Sequence, residues 1–248
     1  CVGLTVMPAL RDVDGRLLSD EHLAAALSDA NVAQTIGRLT RRRAIATAAS
    51  WHRAALGFGR LSFDLMPADL RSDHFVMDLL ADLAASNLAP TTISLRVTSA
   101  ALTARGAERV TPMLRRLHDL GVELVLADFG AGQTSLGLLQ DLPIDWVSFD
   151  GDIVGRLDSS PTDQAIVIGL VDLVHRLGIA TGATGVTTVF QADFLIGLGC
   201  EQLRGPLFSM ALDADATRLY LDRFGHMIDD LDHVADEVPY PRAAVALA

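Results

Sequence analysis

The sequence predicts an α/β protein, a closed barrel of parallel strands wrapped by helices, and three observations carry that prediction. Strand-like and helix-like patterns alternate through the whole length, an order that implies a parallel sheet. Seven strand candidates fall within about 225 residues, which suits a (β/α) barrel better than an open sheet. Several of those candidates end in a charged or hydroxylic residue, and the C-terminal ends of barrel strands are where such folds carry chemistry.

Val2 to Leu10 (VGLTVMPAL) is the first strand candidate, followed by a polar Asp-Gly turn from Arg11 to Arg16. Ser19, with Asp20 and Glu21 behind it, is placed to cap a short helix to about Leu27, because its hydroxyl can accept from the first free amides. From Val32 to Leu56 the pattern is helical, with Ile36, Leu39 and Ile45 among many alanines. Leu61 to Met66 alternates, setting Leu61, Phe63 and Leu65 on one face and Ser62, Asp64 and Met66 on the other, until Pro67 ends it. Phe75 to Leu88 is an amphipathic helix, and Ile93 to Val97 alternates again, with Ser94, Arg96 and Thr98 on the polar face. If helices cover the outside of the sheet, the apolar sets face them, and Asp64 and Arg96 point into the barrel. Gly106 to Leu120 forms the next helix, closed by Gly121. The apolar run Val122 to Leu126 then reads as a strand ending in an acidic loop, Ala127 to Ser135, whose glycines turn the backbone. A helix around Leu136 to Leu142 precedes the strand Trp146 to Asp150. Thr162 to Leu177 is a helix ended by Gly178, Ile179 to Ala183 a short strand, Thr187 to Leu198 a helix stopped by Gly199, and Glu201 to Leu203 the last brief strand. Asp213 to about Asp232 is helical, and Glu237 to Ala248 lacks a pattern and is expected as a disordered tail.

Composition narrows the function. With 248 residues, 50% hydrophobic and 21% charged, the chain has ample material for a core. A net charge of −11, from 20 basic against 31 acidic residues, argues against nucleic acid or an anionic membrane surface as partner. Two cysteines, Cys1 and Cys200, provide neither a disulfide framework nor a paired metal spacing, so a reducing cytoplasm is the expected compartment. There is no apolar run of membrane-spanning length. The chain starts at Cys1, already inside a strand-like run, which suggests a piece of a longer protein with the N-terminal part of the barrel truncated.

Four residues stand at or near the ends of different strand candidates: Asp64, Arg96, Asp128 and Asp150. Three carboxylates without histidine or cysteine are compatible with a hard divalent cation. Arg96 among them favours the other reading, an internal arginine–carboxylate cluster in which the guanidinium supplies the positive charge. Asp128 is then expected to bond to Arg96 or to backbone amides of its own glycine turn. Elsewhere, Arg38, Arg41, Arg42 and Arg43 read as a solvated helix face. The seven histidines show no close pair or metal-ligand spacing.

The stretch ADFGAGQTSLGLLQDLPIDWVSFD, residues 127–150, resembles the Asp-Asp-Phe-Gly-x-Gly loop, the Leu-Pro-x-Asp segment and the Lys-x-Asp strand of the EAL domain, a bacterial family of cyclic di-GMP phosphodiesterases. RLGIATGATGVTTVFQADFLIGLGCEQLRGPLFS has the layout of that family's late segments, and LSFDLMPADL resembles its strand with a metal-binding Asn. The resemblance covers residues 1–224, leaving 225–248 as helix end and tail, and implies a modified (β/α)8 barrel. Active members use two divalent cations to clamp and hydrolyse the phosphodiester. By the same resemblance that ligand set is dismantled here. Thr5, Val6 and Met7 fall where Glu-Ala-Leu stands and Ala9 where its Arg stands, unless Val6-Met7-Pro8 is the preceding strand and the motif is deleted. Asp64 replaces the Asn, Arg96 and Ser99 replace two glutamates, Ala127 the first paired aspartate, Ser148 the lysine, Thr184 and Thr187 the late glutamates, and Arg204 the Gln before Gly205; Asp128 and Asp150 survive. The expectation is a catalytically inactive EAL-like domain with no catalytic residue, no metal and no other cofactor, Mg or Mn entering only if that reading fails. It would act as a regulatory or protein-interaction module in cyclic di-GMP-related signalling. The alternative is a non-hydrolytic cyclic di-GMP receptor, and a metal-dependent phosphodiesterase ranks last. The partner is a protein of unread identity, cyclic di-GMP is an open ligand, and a homodimer through residues 131–142 is left open, although Gln133 and Thr134 depart from the family's Tyr-Ser.

Overall fold

A computed structural model describes residues 3–72, 74–103, 107–130, 136–224 and 243–247. Its strands, all parallel, close into a barrel in sequence order: β1 (Gly3–Val6), β2 (Arg60–Asp64), β3 (Ile93–Thr98), β4 (Glu123–Phe129), β5 (Trp146–Phe149), β6 (Ala180–Ala183), β7 (Gln202–Arg204) and β8 (Ala243–Leu247). The connecting helices are α1 (Asp20–Ser28), α2 (Ala30–Arg53), α3 (Pro67–Leu70), α4 (Phe75–Ser86), α5 (Ser99–Thr103), α6 (Ala107–Asp119), α7 (Leu138–Asp141), α8 (Gly151–Gly155), α9 (Pro161–Arg176), α10 (Val189–Gly197) and α11 (Ala214–Phe224).

Local chemistry accounts for most boundaries. Ser19 accepts the amide of His22 at the start of α1, Asp29 accepts those of Asn31 and Val32 at the start of α2, and Ser160 accepts that of Asp163 at the start of α9. Gly121 has φ +89 and sits against Thr91, where an added Cβ would lie 2.8 Å from Cγ2, so the turn from α6 into β4 requires glycine.

The apolar core lies outside the strand ring. Leu61, Phe63, Ile93, Leu95, Leu124, Leu126, Val147 and Phe149 turn their side chains outward and are buried under Ile45, Leu79, Leu83, Leu114, Leu117, Val167, Val171 and Val174 of the helices. Phe129 and Phe149 meet edge to face, centroids 6.0 Å apart. Inside the ring, Thr5, Ser62, Ser94 and Ser148 line a cavity together with Arg96, Arg204, Val125 and Trp146, so several of the positions that bulky branched side chains usually fill in such a barrel are small and polar.

The N-terminal pole is held by carboxylates bonded to strand amides. Asp145 Oδ2 accepts the Leu124 amide at 2.8 Å, Glu201 Oε2 accepts the Thr181 amide at 2.8 Å, and Glu123 Oε2 accepts the Trp146 indole N–H at 3.0 Å.

Three sequence expectations are corrected. The C-terminal stretch is not patternless throughout, because 243–247 forms β8 and pairs with both β1 and β7. The end of the predicted terminal helix, beyond Phe224, lies outside the described residues. The strand expected to stop at Leu126 runs on to Phe129, so Asp128 sits within β4 rather than in the loop that follows. Finally, the arginine cluster of α2 is only partly a solvated face. Arg38, Arg42 and Arg43 are exposed, but Arg41 is 5% exposed, 3.6 Å from the Asp69 carboxylate and 4.6 Å from the centroid of the Phe75 ring, since the helix packs that side against α3 and α4.

Candidate functional site

The four sequence candidates converge on one pole, the C-terminal ends of neighbouring strands. Asp64 and Arg96 are register partners on β2 and β3, which places their side chains next to each other on the inner face. Arg96 Nε donates to Asp64 Oδ1 at 2.8 Å. The Arg96 side chain is 9% exposed and that of Asp64 59%, so the pair reaches from the barrel interior to its rim.

Asp128 owes its direction to a bulge. Leu126 pairs with Val147 and Phe129 with Phe149, so β4 spends one residue more than β5 over that interval. Asp128 absorbs the mismatch with φ +55, a left-handed conformation that aspartate tolerates better than most residues. Burial pushes its carboxyl above the usual range; Arg96 and Arg204 pull it down, Asp150 and Asp64 push it up, and the net direction is upward. Of the two partners expected for Asp128, Arg96 bonds to Asp64 instead, and among the described residues the Asp128 carboxylate has no hydrogen-bond partner. The amides of 131–135 in its glycine turn lie outside the described residues, as does that part of the expected dimer region.

Asp150 is committed locally: it is the N-cap of α8 and its Oδ1 accepts the Asp152 amide at 2.8 Å. The threonines at the late glutamate positions are engaged too. Thr184 Oγ1 donates to the Phe149 carbonyl at 3.1 Å, and Thr187 Oγ1 to Gln191 Oε1 at 3.1 Å.

Two further residues belong to the site that sequence reasoning did not place there. Arg204 ends β7, and its backbone carbonyl accepts the Val186 amide at 3.0 Å. Gly205 fixes this approach, because a Cβ there would overlap the Val186 backbone. The guanidinium of Arg204 has no ion pair or side-chain hydrogen bond among the described residues, and burial first, then the charge of Arg96, lowers its pKa to about 10 against the opposing pull of Asp64 and Asp128. Ser94 is 1% exposed and its Oγ has no partner. Both line the same cavity, of about 40 Å³, together with Thr5, Ser62, Arg96 and Ser148. The signal for Arg204 was its position in the resemblance; for Ser94 it was only the inward phase of β3.

This donor set does not fit a pair of divalent cations. Such a centre needs several carboxylates free to converge, whereas Asp64 is tied to Arg96, Asp150 caps a helix, and two guanidiniums share the mouth. Among the described residues no group of three or more His, Cys, Asp or Glu side chains is arranged to hold a metal ion. Among the same residues no helix is long and apolar enough to cross a membrane.

The profile described as the EAL domain matches residues 1–211. Cyclic di-GMP phosphodiesterase NbdA of Pseudomonas aeruginosa is 31% identical over 180 residues, covering 73% of this chain and 23% of that protein. The EAL domain of Mycobacterium smegmatis DcpA superposes with a TM-score of 0.72 at 29% identity over 77% of this chain and 86% of that one. PaMucR phosphodiesterase, in a c-di-GMP complex, superposes with a TM-score of 0.78 at 24% identity over 84% of both chains, a likeness of fold. The chain spans only 22% to 30% of the length of the first curated relatives it matches.

Proposed function

Because the chain belongs to the EAL domain family, we propose that it is a non-catalytic member that serves bacterial cyclic di-GMP signalling as a regulatory, protein-binding module. The observation that carries this reading is Arg96, buried at the barrel mouth with its Nε 2.8 Å from Asp64. A fixed cation there repels the divalent ions that phosphodiester hydrolysis of this type depends on, and the substitutions at Ala127, Ser99, Ser148, Thr184 and Thr187 remove further groups that the family resemblance assigns to the chemistry. Relatives at similar identity are named as phosphodiesterases, so the loss is read from this chain's own residues and not from its kin. The fold itself does not oppose the reading, since function resides in the site and not in the scaffold.

A second reading, a receptor that binds cyclic di-GMP without cutting it, is favoured by one observation: the cavity is lined by hydroxyls and by Arg204, whose guanidinium has no ion pair among the described residues. The test is incubation of the purified chain with cyclic di-GMP and Mg²⁺ or Mn²⁺, with products separated by chromatography. No linear dinucleotide is expected above the protein-free control. Turnover would overturn the non-catalytic proposal, and a metal-free titration with the same ligand separates receptor from pure scaffold.

A further inference from the structure

Helices α2 and α4 follow the adjacent strands β1 and β2 of a parallel barrel, so they run in the same sense and lie side by side on its outer wall. Between them runs a groove of about 270 Å³, lined by Arg38, Leu39 and Arg42 from α2 and by Asp78, Ala81 and Asp82 from α4. Each like-charged pair is spaced one helical turn apart on a single face, which gives the groove a basic bank and an acidic bank. Among the described residues none of these four charged side chains takes part in an ion pair or a hydrogen bond. The apolar content of the same face is also uncovered. Leu39 is 58% exposed, Met77, one turn before Ala81 on the same side of α4, is 63% exposed, and Val32, two turns before Leu39, is 42% exposed. Large apolar side chains grouped within a charged rim have the composition of a contact surface.

A surface with one bank of each sign is complementary to itself, and only one two-fold arrangement satisfies the charges. An axis lying across the groove would set basic bank against basic bank. An axis lying along it, parallel to both helices, exchanges the banks while keeping their height, so each arginine meets an aspartate. We propose that the α2–α4 face is the docking surface for a second copy of this chain, with Arg38 and Arg42 set against the partner's Asp78 and the partner's Asp82, and the reverse, around a central strip of Leu39, Met77 and Ala81. The net charge of −11 on each copy opposes unspecific association, so the contact depends on this local complementarity. The face lies on the outer wall and includes none of residues 131–142. The inference is therefore separate from the dimer region that the family resemblance left open, and independent of whether the domain hydrolyses cyclic di-GMP.

The test is analytical ultracentrifugation of the full chain from micromolar to near-millimolar concentration. Wild type is expected to show a reversible monomer–dimer equilibrium. The double variant Arg38→Glu, Arg42→Glu makes both banks acidic, and Asp78→Lys, Asp82→Lys makes both basic. Each should weaken self-association by about tenfold or more, because attraction becomes repulsion at every cross-contact. An equimolar mixture of the two should recover a dimer holding one copy of each, which misfolded variants could not do. Leu39→Ser, with all charges intact, should weaken the dimer by about tenfold, the scale of one lost apolar anchor. Wild type that stays monomeric across the range would overturn the proposal and leave the face to a different protein. Dimerisation that both double variants retain would place the contact elsewhere and overturn it too, and a mixture that stays monomeric would overturn the two-fold pairing of the banks.

Discussion

Reversing the charge at Arg96 is the sharpest test of how the barrel mouth is held. At 2.8 Å the Arg96–Asp64 attraction is about 6 kcal/mol for an effective dielectric constant near 20 and about 1.5 kcal/mol in water. Asp64 is 59% exposed, so the pair lies near the aqueous limit and its loss alone, as in Arg96→Met, should cost about 1 kcal/mol. Arg96→Glu adds repulsion among four carboxylates that only Arg204 offsets, and the total rises to about 3–4 kcal/mol. For a chain of this size that is a fall in Tm of roughly 6–16 °C. Thermal melts followed by circular dichroism in EDTA would measure it. The charge-reversed variant, now with Glu, Asp64 and Asp128 at one mouth, should also gain stability from Mn²⁺ while wild type does not. Arg96→Glu melting with or above wild type would refute the ion cluster.

Other expectations follow the same geometry. The folded pKa of Asp128 is raised, so from the ordinary value of 3.8 upward the folded state holds more protons than the unfolded one, and stability falls as pH climbs through that window; Asp128→Asn should remove this slope, and urea midpoints from pH 4 to 7 that change in parallel for both proteins would count against it. Arg41→Ala should cost about 3 kcal/mol by stranding the buried Asp69 carboxylate, whereas Arg42→Ala on the exposed side should fall within about 0.5 kcal/mol; equal effects in chemical denaturation would restore the solvated-face reading of the cluster. Gly205→Ala should destabilise by more than 1 kcal/mol, because its Cβ has no space beside Val186 and the chain must shift, and an unchanged melting curve would show that the β7 end is not constrained as described.

What could be read in advance was what depends on local pattern. Outward apolar phases such as Leu61-x-Phe63 and Ile93-x-Leu95-x-Val97 identified the strands and the fold, and with them the pole on which Asp64, Arg96, Asp128 and Asp150 meet. What could not be read depends on pairing. The bulge at Asp128 exists only because β5 offers one residue fewer than β4, and nothing in the sequence of β4 itself records that. The segment Ala243–Leu247 is alanine-rich, with weak intrinsic strand preference, and owes its conformation to β1 and β7 on either side. Arg41 looks like its exposed neighbours in a charge run, and its burial follows from Asp69 and Phe75 on later helices. Arg204 was legible as a substitution but not as a cation without an ion pair among the described residues.

The separation of core and bore explains how such a barrel can change its chemistry without losing its fold. Burial energy resides on the outward faces and in the helices, and the N-terminal pole is locked by Asp145, Glu201 and Glu123 on strand amides and the Trp146 indole. Many inward positions carry small polar side chains that contribute little apolar burial, so a lysine replaced by Ser148 or an acid replaced by Thr184 disturbs little of that packing. The constraint on these positions is electrostatic: each carboxylate removed leaves less to balance an internal cation. Arg96 meets it by pairing with Asp64, while Arg204, without an ion pair among the described residues, is balanced by the charges of Asp64 and Asp128 acting across the mouth.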